Sequence, residues 1–227
     1  MWKDILTLFK GSNLCEEAFD EATLMLETSR GMYRDAVEAL HAQGKAVADI
    51  YQRDRHINKY ERSVRRKIVT HFAVATKPDV NMGLVLTAIV IDIERIGDYT
   101  KNMMELAVAL EAPFDGLELD EDVRELEATV SGMFEDVIPA LRHSDEARAR
   151  RAMEAHLKVA EVVERDTLLL RDSRVLAGHS GHAVTVALYL RFLKRVSAHL
   201  KNVATSVVNP YYRIGFREKL DVPEGRG

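Results

Sequence analysis

At 227 residues the chain is long enough for one large domain or two small ones, and its 47% hydrophobic and 30% charged residues give the balance of a protein with a buried core. Only 5 Pro and 12 Gly argue against a loop-rich β protein or a disordered chain, and a net charge of −4 excludes a general electrostatic attraction for nucleic acid. Cys15 is the single cysteine and excludes an internal disulfide, while the longest apolar stretch, Leu84 to Ile91, is broken by Thr87, closed by Asp92 and far short of the roughly 20 residues that cross a bilayer.

Helical periodicity between breakers predicts six helices, over 13–42, 44–76, 79–111, 119–143, 145–177 and 182–209. The breakers are Gly44, the Lys77-Pro78-Asp79 turn, Ala112 to Gly116, Ser144-Asp145, Gly178 to Gly181, and Asn209-Pro210, with Pro139 expected to kink the fourth helix. In the first helix Ala18, Ala22, Met25, Ser29, Met32, Ala36 and Ala39 alternate steps of four and three. Val123, Leu126, Val130, Met133, Val137 and Ala140 do the same in the fourth, and Val186, Leu190, Leu193, Ser197, Leu200, Ala204 and Val207 in the sixth. These are bundle seams.

Long helices with short connections pack antiparallel, which makes the fold class all-α, with two tandem three-helix bundles over 1–115 and 116–210 and a tail over 211–227. A faint internal repeat agrees: Tyr99 to Asn102 lines up with His199 to Asn202 at an offset of 100, and Glu61-Arg62 with Glu164-Arg165 at 103.

Acids interrupt two of the seams. The second helix reads Ile50, Asp54, Ile57, Glu61, Val64, Ile68, His71, Ala75, with Asn58 one step away, and the third reads Leu84, Thr87, Ile91, Glu94, Asp98, with Asn102 and Glu105 continuing the face. Antiparallel packing brings Asp54, Glu61, Glu94 and Asp98 toward one another, and ionised carboxylates gathered in this way need cations. Two readings follow. In one the acids form a rim bridged to Arg53, Arg55, Arg62 and Arg95. In the other they hold a metal ion, and an all-oxygen set suits iron, manganese, magnesium or zinc bound outside a structural zinc site.

The run Asp92-Ile93-Glu94-Arg95-Ile96-Gly97-Asp98 and its continuation to Glu105 resemble the signature of the PhoU family, and Ile57-Asn58-Lys59-Tyr60-Glu61 resembles that family's element on the preceding helix. The resemblance implies two three-helix bundles, iron or zinc clusters on their outer faces, and restraint of phosphate uptake through contact with a phosphate transporter and a sensor histidine kinase. Carried over by position, Glu94 and Asp98 are the first metal-ligand candidates, followed by Asp54, Asn58 and Glu61. The second half departs from the pattern: Lys194 and Ala198 stand where acids are expected, and Leu157 aligns with Asp54. Its cluster is therefore expected to be lost, with Lys194 pairing an acid left on the fifth helix and His199 on the helix surface.

Two rival classes compete with this reading. A di-iron carboxylate enzyme needs Glu-x-x-His on two helices, and the only such element, Glu38-Ala39-Leu40-His41, reads as a capping or solvent feature. A metal-free adaptor or scaffold would use its helical faces alone, aided by the basic run Arg62, Arg65, Arg66 and Lys67 and the aromatic, basic tail Tyr211 to Arg217. No nucleophile with a base and no glycine-rich phosphate loop is recognisable, so a non-enzymatic protein without organic cofactor is expected. Lacking a signal-like start, the chain is expected in the cytoplasm, peripheral to the membrane through its partner, and exposed Met and aliphatic residues point to a homodimer.

Overall fold

The computed structural model of the protein describes residues 13–42, 49–110, 119–171 and 180–218. These form six helices: α1 (Leu14–His41), α2 (Ile50–Val74), α3 (Val80–Val108), α4 (Asp120–His143), α5 (Glu146–Arg171) and α6 (Ser180–Val208), followed by one 3-10 turn, Tyr211–Arg213. The predicted starts and ends that fall within 43–48, 111–118 and 172–179 lie outside the described residues.

Local chemistry sets the ends. Asn13 Oδ1 accepts the Glu16 N–H at 3.4 Å and Asp79 Oδ1 the Met82 N–H at 2.9 Å, so α1 and α3 begin on side-chain caps. Pro78 disfavours a helical residue before it, and α2 stops at Val74 with Ala75 extended; the Asp79 N–H then donates to His71 Nε2 at 3.0 Å and closes the hairpin. At the end of α4, Ser144 takes a left-handed φ of 52° and its N–H donates to the Ala140 carbonyl. Pro139 has no N–H to offer the Glu135 carbonyl one turn back, and Arg148 Nη1 supplies the missing donor at 3.2 Å.

α1, α2 and α3 pack as one bundle and α4, α5 and α6 as a second; α3 lies along α6 and α1 against α4, so both bundles share one apolar core. The α1 and α4 seams are buried throughout, as is that of α6 down to Ala204, and burial of each large apolar side chain contributes about 1.5–3 kcal/mol.

Several expectations are corrected. The buried stripe of α3 is Leu86, Val90, Ile93, Ile96, Thr100, Met103 and Ala107, displaced from the predicted seam, and Ile91 is exposed. The cause is that α3 faces α1 and α2 on one side and α6 on another, which turns the acids toward the edge of the bundle. Met25, Met32, Met103, Met104 and Met133 belong to the core and not to an exposed face. His41 neither caps nor faces solvent: its Nε2 lies 3.0 Å from Glu127 Oε2, beneath the α1–α4 contact. His199 is not a surface residue either, because its Nδ1 lies 2.7 Å from Asp92 Oδ1 across the bundle interface and its ring stacks on Tyr99. No described helix is long and apolar enough to cross a membrane.

Candidate functional site

The α2–α3 hairpin positions the acids. Ile57, Val64 and Ile68 are buried and fix the rotation of α2, leaving Asp54, Asn58 and Glu61 half-buried beside them. Ile93, Ile96 and Gly97 do the same for α3 and put Glu94 and Asp98 at the groove between the helices. Close approach depends on Gly97, where a Cβ would come within 2.8 Å of Ile57 Cδ1.

Asp54 and Asp98 share one cation. Lys101 Nζ lies 3.2 Å from Asp54 Oδ1 and 3.0 Å from Asp98 Oδ1, bridging the two helices. Asn58 Nδ2 donates to the other Asp54 oxygen at 3.3 Å. Arg95 spans the two acids of α3, with Nη1 3.2 Å from Asp98 and Nε 3.5 Å from Glu94. Glu61 turns to Arg65 at 2.7 Å. Further along the same face Glu105 accepts from the Tyr51 hydroxyl and raises its pKa.

Glu94 is the least compensated member. Burial pushes its pKa up, Asp98 adds to the rise, Arg95 opposes it, and Glu61 and Asp54 contribute further. The field of the other three carboxylates is thus felt at one side chain. Of the four arginines anticipated as bridges, only Arg95 serves: Arg53 is committed to Asp35 and Asp49, and Arg65 takes Glu61 in place of Arg62. Lys101 is the member of the cluster that sequence reasoning passed over. Its place three residues after Asp98 was readable as an ion pair, but its reach to Asp54 depends on the α2–α3 register.

The donor set is all oxygen and suits a hard cation, yet its arrangement is that of a closed ion-pair network. Among the described residues no three His, Cys, Asp or Glu side chains are grouped so as to hold an ion. Lys101 stands between the two aspartates, so a metal ion would have to displace it.

The second bundle carries the opposite charge at the matching place. Lys194 pairs with Glu164 at 2.6 Å, as anticipated, and Leu157 is 53% exposed where Asp54 has its counterpart.

Comparison with known proteins agrees with this architecture. The model of the PhoU domain matches residues 22–107, the segment that contains every acid of the cluster. No curated protein matches the chain in sequence. Among solved structures, the crystal structure of PhoU from Pseudomonas aeruginosa superposes with a TM-score of 0.74 at 22% identity, over 86% of this chain and 95% of that one. The phosphate transport system regulatory protein PhoU from Streptococcus pneumoniae superposes with a TM-score of 0.75 at 14% identity, over 86% and 93%. The first bundle thus matches the PhoU domain, and the chain as a whole shares the fold of these PhoU structures.

Proposed function

We propose that the chain regulates phosphate uptake as a non-catalytic protein, by docking on a phosphate transporter or on a sensor histidine kinase that reports phosphate supply. The observation that carries this reading is the PhoU domain match over residues 22–107 together with the acid-bearing α2–α3 face that the same segment builds. The acids Asp54, Glu61, Glu94 and Asp98, with the Asn58 amide beside them, are the control point of that face, the candidate ligands for iron, zinc, manganese or magnesium. An ion entering there would release Lys101 and Arg95, changing the charge the face presents to a partner.

A second reading, a metal-free adaptor, draws support from the same lysine, whose ammonium already occupies the position of a cation between Asp54 and Asp98. Metal content of untagged protein by mass spectrometry separates the two. One or more ions per chain, lost in Glu94→Ala/Asp98→Ala, favours the ion-controlled regulator; substoichiometric metal in both proteins favours the adaptor. Co-purification from phosphate-replete cells tests the partner: a phosphate transporter or sensor kinase is expected with the wild type, and recovery of neither would contradict the proposal.

A further inference from the structure

The second bundle holds a cavity of about 640 Å3 where the chain after α6 folds back over α5. The fold-back is firmly built. Asn209 Nδ2 donates to the carbonyls of Arg213 and Phe216, at 3.2 and 2.9 Å, and Gly215, at a φ of 87° that favours glycine, donates its N–H to Thr205 Oγ1 at 2.7 Å.

Lys201 lies on the cavity wall and is the repeat counterpart of Lys101. In the first bundle that lysine has two carboxylates. In the second the corresponding positions are Leu157 and Ala198, and among the described residues no carboxylate lies within ion-pairing distance of Lys201, whose ammonium donates to the Gly215 carbonyl at 2.7 Å. Asp92 lowers the cost of its charge only from a distance, being held by His199 and Asn202, and burial still pulls the Lys201 pKa down. Arg217, also on the wall, makes no ion pair among the described residues. The remaining charged groups are Arg150, engaged with Glu218 at 2.8 Å and Glu146 at 2.7 Å, and Glu154. His156 donates Nδ1–H to Ser197 Oγ at 3.0 Å, since the Ser197 hydroxyl is itself directed to the Lys194 carbonyl. Met153 and Leu157 add apolar wall.

A half-buried ammonium without a carboxylate and an uncommitted guanidinium, facing one cavity, lack a ligand of opposite sign. Two cations match the charge of a phosphoryl group, about −2 near neutral pH, better than that of a single carboxylate, and Lys and Arg are its usual partners. We propose that this cavity is an anion site for phosphate chemistry, taking inorganic phosphate or the phosphoryl group of a small metabolite on Lys201 and Arg217. The site lies on the other bundle from the acidic cluster, and the inference does not depend on the regulator reading.

Calorimetric titration of the full chain with inorganic phosphate, pyrophosphate and AMP, at fixed ionic strength, tests it. Saturable binding of at least one probe is expected, with inorganic phosphate or pyrophosphate alone marking the free anion as ligand and AMP in preference marking a metabolite. Lys201→Met should weaken that binding at least tenfold, as should Arg217→Gln, a change on the exposed tail that leaves folding untouched; Lys101→Met should not. Absence of saturable binding for all three probes at millimolar concentration, or affinities in Lys201→Met and Arg217→Gln equal to that of the wild type, would overturn the proposal.

Discussion

Lys101 holds the first bundle's acids in place at the scale of single residues. It is mostly buried, and its two carboxylate partners outweigh the burial that would otherwise lower its pKa, so the ammonium stays charged between them. Lys101→Met is expected to destabilise the chain by about 1–3 kcal/mol in urea unfolding, because Asp54 and Asp98 would then face each other and Glu94 without a shared cation. Asp54→Asn on that background should recover part of the loss, whereas a single variant as stable as the wild type would mean that water already solvates these acids. His156 gives a pH signature in the second bundle. Burial first, then Lys201 and Lys194, push its imidazole from 6.5 down to about 4, so the folded chain favours the neutral ring. Its contribution is complete above pH 6.5 and is lost as pH falls toward 4, a span worth about 3 kcal/mol. The urea midpoint of the wild type should therefore fall more steeply than that of His156→Gln across this window, and parallel profiles would contradict the assignment.

At the scale of helices, the acidic groove depends on how closely α2 meets α3. A Cβ at Gly97 would press on Ile57 and one at Gly83 on Phe72 at 2.5 Å, so the two glycines set the groove width that lets Lys101 span it. Gly97→Ala is expected to cost about 1–3 kcal/mol through overpacking, while Gly132→Ala, in α4 with nothing within 4 Å of its Cβ position, should stabilise by about 0.5–1 kcal/mol. Thermal melts of the two variants shifting in the same direction would refute this contrast. Much of this level was legible in the sequence: the steps of four and three in α1, α4 and α6 mark helices that bury one stripe, and the Lys77-Pro78-Asp79 turn marks the break between α2 and α3. The α3 seam was misplaced because that helix is covered on two sides, and a single-stripe pattern cannot register a second neighbour. His41 and His199 escaped for a related reason. Their partners, Glu127 and Asp92, lie 86 and 107 residues away in the chain, and only the docking of one bundle on the other joins them.

The whole molecule is tied together by polar groups as well as by the shared core. Glu127, 6% exposed, receives the Tyr189 hydroxyl at 2.6 Å and lies against His41, while its carbonyl accepts from the Tyr33 hydroxyl at 2.9 Å, so α1, α4 and α6 meet on one residue. Both tyrosine hydroxyls have their pKa raised well above the ordinary value by burial and by the Glu127 charge, and remain donors. The two bundles are accordingly expected to unfold in a single cooperative transition. Tyr189→Phe should lower its midpoint, by about 1–3 kcal/mol, without dividing it into two. Two separate transitions in the wild type would show bundles that fold independently. The acidic groove on one bundle and the basic cavity on the other thus sit on a single body, and the task proposed for that body is restraint of phosphate entry. The most direct measurement is the initial rate of radiolabelled phosphate uptake in phosphate-replete cells lacking the protein, and in the same cells supplied with the wild type or with Glu94→Ala/Asp98→Ala. Uptake raised by the loss, returned to normal by the wild type and left high by the double variant is the predicted result; uptake indifferent to the presence of the protein would contradict it.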